Sequence, residues 1–133
     1  MTVSHKNRVQ MSVSGTPGTG TITLGSAASG YQSFSAAHGA NATVDVLITD
    51  GTAWEVARGC TYTHSGTTLS RGTLEASSTG SAISLTSAAV VSQSETAAWG
   101  NEVEAHRQSY IAGLIVTKNS GGNTLDISAG SCY

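Results

Sequence analysis

The sequence predicts an all-β fold: an antiparallel β-sandwich of short strands, followed by a linker and a C-terminal β-hairpin segment. Three observations lead to this prediction. Short runs of alternating polar and apolar residues are rich in Val, Ile and Thr. Turn signals recur about every 8–12 residues, a spacing typical of sandwiches and barrels with roughly seven to nine strands. No helix of normal length is indicated before residue 93.

The first strands come from two alternating runs. Val9, Met11 and Val13 share one face of residues 7–13, and residues 19–24 resume the same period after a Gly-rich turn. Further short runs cover residues 60–64, 67–70, 73–76, 82–85 and 88–92. A short strand and one turn of helix fit residues 31–34 equally well.

The clearest element is a hairpin. An alternating strand over residues 43–49 leads into Asp50 and Gly51, a pair that favours a two-residue type I′ turn because both central residues of that turn need positive φ. The return strand covers about residues 52–58. We expect the apolar side chains of both strands to share the core. These core candidates are Val44, Val46, Ile48, Trp54 and Val56.

The chain is predicted to have three segments. Residues 1–92 form the sandwich, and residues 93–109, where charged side chains become frequent, form a partly helical linker. Residues 110–133 hold an apolar run, a Gly-rich turn and an answering run, which indicates a hairpin. A lone hairpin is marginally stable, so we expect this segment to begin a second β module or to exchange strands with another chain. Its possible assembly contacts are Tyr110, Ile111, Leu114 and Ile115.

Composition and charge argue against several classes of partner. Charged residues are only 11% of the 133 residues and the net charge is -2, so no basic stripe is available for nucleic acid. No run reaches the roughly 18 apolar residues of a membrane helix. The polar N-terminus lacks the apolar core of a signal peptide, which predicts synthesis in a cytoplasm. Cys60 and Cys132 lack metal-site spacing; free buried thiols are the preferred interpretation, and a disulfide is the alternative.

No catalytic, cofactor-binding or metal-binding constellation is indicated. The four histidines are isolated from one another and from carboxylate clusters, and the Gly-x-Ser-x-Gly motif of serine hydrolases is absent. Asp45 and Glu55 lie on the strands of the hairpin and are expected to be solvated. Arg58 and Arg71 are candidates to pair with Glu55 or Glu75 across strands. The sequence therefore predicts a non-enzymatic protein without a cofactor.

A resemblance to a known family lies in the order and spacing of short pieces. They are residues 20–24 (GTITL), 30–34 (GYQSF), 48–56 (ITDGTAWEV), 62–63 (YT), 69–71 (LSR) and 74–78 (LEASS). In this order they resemble the N-terminal β module of tail fibre and receptor-binding proteins of tailed bacteriophages, over residues 6 to about 92. Residues 110–114 and 123–130 are similar to the opening of further modules in such proteins.

The resemblance implies a virion structural protein, made in the host cytoplasm and assembled with other virion proteins. Its implied role is an attachment or adaptor domain of a tail fibre or tail tip, in a homo-oligomer with a trimer favoured. Two alternatives remain: a head decoration or head–tail accessory protein, and a module that binds host-surface carbohydrate. The last would need Trp54, or Tyr31 together with Tyr62, exposed on a concave face. No catalytic residue, nucleic acid or membrane partner is implied.

Overall fold

The computed structural model describes residues 2–97, 99–105, 117–118 and 125–126. The chain divides into two compact units, Met1–Thr96 and Ala97–Tyr133. The strands and helix of the first unit are β1 (Gln10–Ser14), β2 (Ile22–Ala27), α1 (Phe34–His38), β3 (Ala42–Asp50), β4 (Ala53–Thr63), β5 (Thr68–Leu69), β6 (Thr73–Ser77) and β7 (Val90–Gln93). In the second unit, helix α2 covers residues 97 and 99–105, and β8 (Thr117–Lys118) pairs antiparallel with β9 (Leu125–Asp126).

Seven strands of the first unit form one antiparallel sheet with a near-ring topology. The order is β3-β7-β1-β2-β5-β4-β6, and β3 also pairs with β4. Six strands therefore return to their starting point, while β6 attaches to β4 beyond β5. The prediction of an antiparallel, mostly β fold is confirmed, and its strands belong to a single sheet in this unit. Helix α1 lies between β2 and β3 in the chain, and helix α2 follows β7.

One apolar core fills the inside of the near-ring. Val44, Val46 and Ile48 alternate along β3 and are fully buried there. Ile22 and Val91 reach the same cluster from β2 and β7. Side chains of this size each contribute about 1.5–3 kcal/mol when fully buried. The core thus draws on strands that are far apart in sequence.

The β3–β4 hairpin turns one residue later than predicted. Asp50 pairs with Ala53, so the two loop residues are Gly51 and Thr52. Gly51 has a φ of 64°, and a positive φ confined to the first loop residue is the pattern of a type II′ turn rather than type I′. The Asp50 carboxylate accepts hydrogen bonds from the Thr86 backbone N–H at 2.6 Å and hydroxyl at 3.0 Å. Asp50 therefore anchors another loop.

The assignment of Trp54 and Val56 to the core is wrong. Trp54 is 39% exposed and Val56 is half-buried, whereas Glu55 and Ala57 face inward. Directly opposite residues of a sheet share a face, and Glu55 lies opposite the buried Ile48. Register therefore decides the faces of β4, and it places a carboxylate where the apolar pattern suggested an indole.

Residues 31–34 lead into a helix rather than a strand. The Ser33 hydroxyl accepts a hydrogen bond from the Ala36 N–H at 3.0 Å, which caps the first turn of α1. Gly39 ends the helix with a φ of 66°, a left-handed conformation that glycine adopts without strain. Phe34 is fully buried. This single turn anchors His38 at the rim of the sheet.

The predicted assembly contacts lie outside the described residues. They are Tyr110, Ile111, Leu114 and Ile115. The predicted second β module or strand-exchange segment, residues 110–133, is described only at the β8–β9 pair, where Thr117 lies opposite Asp126 and Lys118 opposite Leu125.

Candidate functional site

A buried ion pair is the most organised polar group of the first unit. Arg71 Nε donates to Glu55 Oε1 at 2.8 Å, and Arg71 Nη2 donates to Glu55 Oε2 at 2.6 Å. The two parallel bonds form the bidentate arrangement that an arginine fork makes with a carboxylate. The expectation of a solvated Glu55 is wrong, because this carboxylate is buried and paired.

The same pair holds two loops. Arg71 also donates to the Gly18 carbonyl at 3.0 Å and to the Ile83 carbonyl at 2.9 Å. Glu55 Oε2 accepts the Ile83 N–H at 2.8 Å. The predicted pairing of Arg71 with Glu55 is present. The pair is buried, and both side chains also form hydrogen bonds with backbone groups. Because every carboxylate oxygen already accepts donors, the arrangement is suited to fixing the fold rather than to transferring protons.

A second buried carboxylate sits at a bulge in the β3–β4 ladder. Asp45 lies between the pairs Val44–Cys60 and Val46–Ala57, so Arg58 and Gly59 together oppose it. Asp45 Oδ1 accepts the Gly59 N–H at 2.9 Å, and Oδ2 lies 3.8 Å from Arg58 Nε. Asp45 is buried rather than solvated as expected. Arg58 thus pairs with Asp45, which the sequence did not suggest.

Cys60 is a free, buried thiol next to these acids. Burial raises the pKa of the thiol from 9.0 to about 11; the nearby Asp45 and Glu55 charges add to the rise, which the Gly72 N–H opposes. That N–H lies 3.3 Å from Sγ. A thiol that stays protonated is a poor nucleophile. Cys60 is therefore a packing residue, and Cys132 lies outside the described residues.

His38 is held by a chain of hydrogen bonds that fixes its tautomer. Gln93 donates its amide N–H to the Ser4 carbonyl, so Gln93 Oε1 faces His38 Nε2 at 2.9 Å. Nε2 therefore donates to Gln93 Oε1, and the Ser4 hydroxyl oxygen lies 3.4 Å from Nδ1. The imidazole also packs against Phe34 and Tyr62, with ring centroids 6.0 and 6.1 Å away. Both ring nitrogens are engaged.

A polar cleft of about 470 Å³ opens beside His38. The N-terminal segment forms one wall, where the Ser4 N–H donates to the Thr43 carbonyl at 2.8 Å. The ends of β3 and β4 form the other wall. Its described lining consists of Lys6, His38, Asn41 and Ala42 together with the hydroxyl-bearing residues Thr2, Ser4, Thr43 and Thr61, and none of these is acidic. The sequence does not predict this cleft, because no local pattern indicates that residues 2–6 lie against β3.

The two tyrosines predicted as a platform for sugar stacking, Tyr31 and Tyr62, are not both exposed. Tyr62 is fully buried, which rules out the predicted Tyr31–Tyr62 platform. Tyr31 is 38% exposed, but the Arg8 guanidinium lies 4.4 Å from its ring centroid. Arg8 also donates from Nε and Nη2 to the Gly30 carbonyl at 3.0 and 2.9 Å. Trp54 is the other exposed aromatic residue of the described chain.

Neither a metal-binding cluster nor a membrane-spanning helix occurs in the part of the chain that is described. There, no group of three or more His, Cys, Asp and Glu side chains is placed to hold a metal ion. The helices within the described ranges are too short or too polar to cross a membrane. Comparison with known proteins gave no match: no protein-family model, no curated protein and no solved structure is significantly similar to this chain.

Proposed function

We propose that this chain is a non-enzymatic structural protein of a tailed-phage particle, in which residues 2–96 form the attachment module of a tail fibre or tail-tip protein. The proposal starts from the resemblance over residues 6–92. The proposal includes the predicted β-sandwich. In this proposed arrangement the near-ring sheet is flattened into two facing halves that share one core. Other virion proteins are the proposed partners, and the particle is the proposed location.

The observation that carries this proposal is the structural role of the sequence pieces on which the resemblance rests. Glu55 belongs to the piece ITDGTAWEV and Arg71 to the piece LSR, and their side chains form the buried bidentate pair. The piece GTITL supplies half of β2, and LEASS supplies most of β6. The shared pieces therefore coincide with residues that hold a β fold together, which is what a structural module needs.

The free side of β6 is the proposed joint to a neighbouring subunit. Within the described residues, β6 pairs with β4 alone, so its outer backbone groups are available to another strand. Trp54 lies beside this edge: its carbonyl accepts the Ser78 N–H at 2.9 Å, and its N–H donates to the Ser78 hydroxyl at 3.1 Å. An exposed indole next to an open strand is a suitable anchor for association.

The mass and symmetry of the native assembly test this proposal. Native mass spectrometry and light scattering on the full chain are expected to show a homo-oligomer, with a trimer favoured. Trp54→Ser is expected to weaken the oligomer. The control Tyr31→Ser removes a similarly exposed aromatic ring that does not lie on β4 or β6, and the oligomer is expected to stay intact. A monomer at all accessible concentrations would overturn the attachment role.

Head decoration, or a head–tail accessory role, is the alternative within the same class. Head and connector positions follow the symmetry of the capsid or portal rather than of a fibre. Immunogold labelling of particles with an antibody to this chain separates the two roles. Label on the tail tip supports attachment, and label on the head supports the alternative.

A carbohydrate-binding module is the alternative from another class, and exposed Trp54 is the observation in its favour. A single indole on an outer sheet face offers one stacking surface. A glycan array probed with the assembled oligomer and with Trp54→Ser tests it. Hits that disappear in the variant would support sugar binding at Trp54.

A further inference from the structure

The cleft beside His38 combines one uncompensated positive charge with many hydrogen-bonding groups. Lys6 lines it, is exposed, and makes no hydrogen bond or ion pair with another described residue. The three described arginines, in contrast, have partners: Arg58 lies against Asp45, Arg71 binds Glu55, and Arg8 donates to the Gly30 carbonyl. Lys6 also lines a neighbouring cleft that contains Glu95, but it forms no ion pair with that residue. The positive charge of Lys6 is therefore available to a ligand in the cleft beside His38.

Apart from Ala42, the remaining described lining residues carry polar groups, some of which already form hydrogen bonds. The Asn41 carbonyl oxygen Oδ1 accepts the His64 N–H at 2.8 Å, which directs the Asn41 amide N–H₂ away from that contact. Hydroxyl groups come from Ser4, Thr43 and Thr61. Hydroxyls both donate and accept, as the hydroxyls of a sugar do. The walls thus match a ligand with several hydroxyl groups.

The floor of the cleft is preorganised. His38 is fixed between Ser4 and Gln93 and stacked on buried rings. The N-terminal wall is tied to β3 through the Ser4–Thr43 backbone bond. A site with fixed walls loses less conformational entropy on binding than a flexible one. The cleft of about 470 Å³ is widely open to solvent and has room for a ligand larger than a bare inorganic anion.

We propose that this cleft binds an acidic saccharide unit, whose carboxylate pairs with Lys6 and whose hydroxyls bond to Asn41 and the threonines. Both the charge and the hydroxyl-rich lining enter this choice: a neutral sugar leaves Lys6 without a partner, and a small anion leaves the hydroxyls unused. The proposal concerns a different surface from the Trp54 edge and does not depend on the attachment role.

The test is a titration of the isotopically labelled full chain with D-glucuronate, followed by ¹H–¹⁵N NMR. D-glucose serves as the neutral ligand and inorganic phosphate as the small anion. Glucuronate is expected to give saturable shifts of amides around the cleft, with glucose binding about tenfold more weakly, as expected for loss of one charged contact. Absence of saturable shifts, or equal affinity for glucuronate and glucose, would overturn the proposal.

Two variants locate the site. Lys6→Met is expected to lower glucuronate affinity about tenfold and to leave the glucose affinity unchanged. Arg8→Met removes an exposed cation two residues away that does not line the cleft, so it is expected to bind glucuronate normally. The spectra of both variants report directly on folding. Equal losses in the two variants, or phosphate binding as tight as glucuronate at the same amides, would show a general anion effect and refute a saccharide site.

Discussion

The Glu55–Arg71 pair provides the sharpest test of how this fold is held together. We consider Glu55→Gln, Arg71→Met and the double variant. Glu55→Gln leaves the guanidinium in place without its counter-charge, where the Arg71 side chain is only 10% exposed. Arg71→Met leaves a carboxylate whose side chain is 2% exposed with only the Ile83 N–H as a donor. Each single change therefore strands a buried charge.

The size of the effect follows from that burial. Removing one partner of a buried ion pair costs about 3–5 kcal/mol, because the other charge stays desolvated. The double variant strands no charge, so its cost is expected to equal that of one single variant rather than the sum of both. It does not fall to zero, because the Gly18 and Ile83 carbonyls lose their donor at about 1–3 kcal/mol for each unsatisfied group. The coupling energy is expected to be at least about 2 kcal/mol.

Urea denaturation followed by circular dichroism measures the free energy of unfolding of the wild type and the three variants. Sucrose added to all four samples keeps the weakest variants folded in the absence of urea. Arg8→Met is the matched control, because Arg8 is exposed and its loss is expected to cost less than about 1 kcal/mol. Additive single-variant costs below about 1 kcal/mol would refute the reasoning, since they would mean that water solvates the pair.

Three further predictions concern backbone and thiol positions. Gly72→Ala places a methyl group 2.8 Å from the Cys60 N and against the strand backbone, so it is expected to lower the free energy of unfolding, measured by urea denaturation, by about 3 kcal/mol. The control Gly66→Ala has no contact under 3.6 Å and is expected to lower it by less than about 1 kcal/mol. Thr67 has a φ of 50°, so Thr67→Gly is expected to raise the stability by roughly 0.5–1 kcal/mol, while Thr68→Gly lowers it. The Cys60 pKa is about 11 in the folded chain against 9.0 for a free thiol. The protonated Cys60 thiol therefore contributes its full stabilisation of the fold below pH 9, and this stabilisation, of up to about 3 kcal/mol, is lost as the pH rises to about 11. Denaturation midpoints that fall equally in the wild type and in Cys60→Ala over that pH range would contradict the last prediction.

The β class and the β3 strand follow from the sequence because their signals are local. Val44, Val46 and Ile48 alternate within a strand, and the period alone identifies their buried face. The sequence does not distinguish one turn of helix from a short strand at residues 31–34, because α1 has only one turn, whose formation depends on the Ser33 cap and the burial of Phe34. One turn is too short for a periodic signal.

The faces of β4 were misassigned because hydrophobicity was given more weight than register. A two-residue loop at either candidate position places an odd-numbered residue of β4 opposite Ile48, so Glu55 rather than Trp54 shares its face. That signal was present in the sequence. The partner that makes a buried glutamate tolerable, Arg71, lies 16 residues further along the chain, and no local pattern indicates that the two meet.

The place of β7 in the near-ring has a consequence for how the chain reaches its fold. β7 lies between β3 and β1, and Gln10 donates to Ser92 across a separation of 82 residues. During synthesis the strands from β1 to β6 can pair before β7 exists, but they leave two open edges facing the gap. Closing such a distant contact is slow, and open edges invite pairing between nascent chains. Residues 90–93 thus close the near-ring sheet, and release of a chain that stops before them is expected to yield aggregates rather than a smaller folded protein.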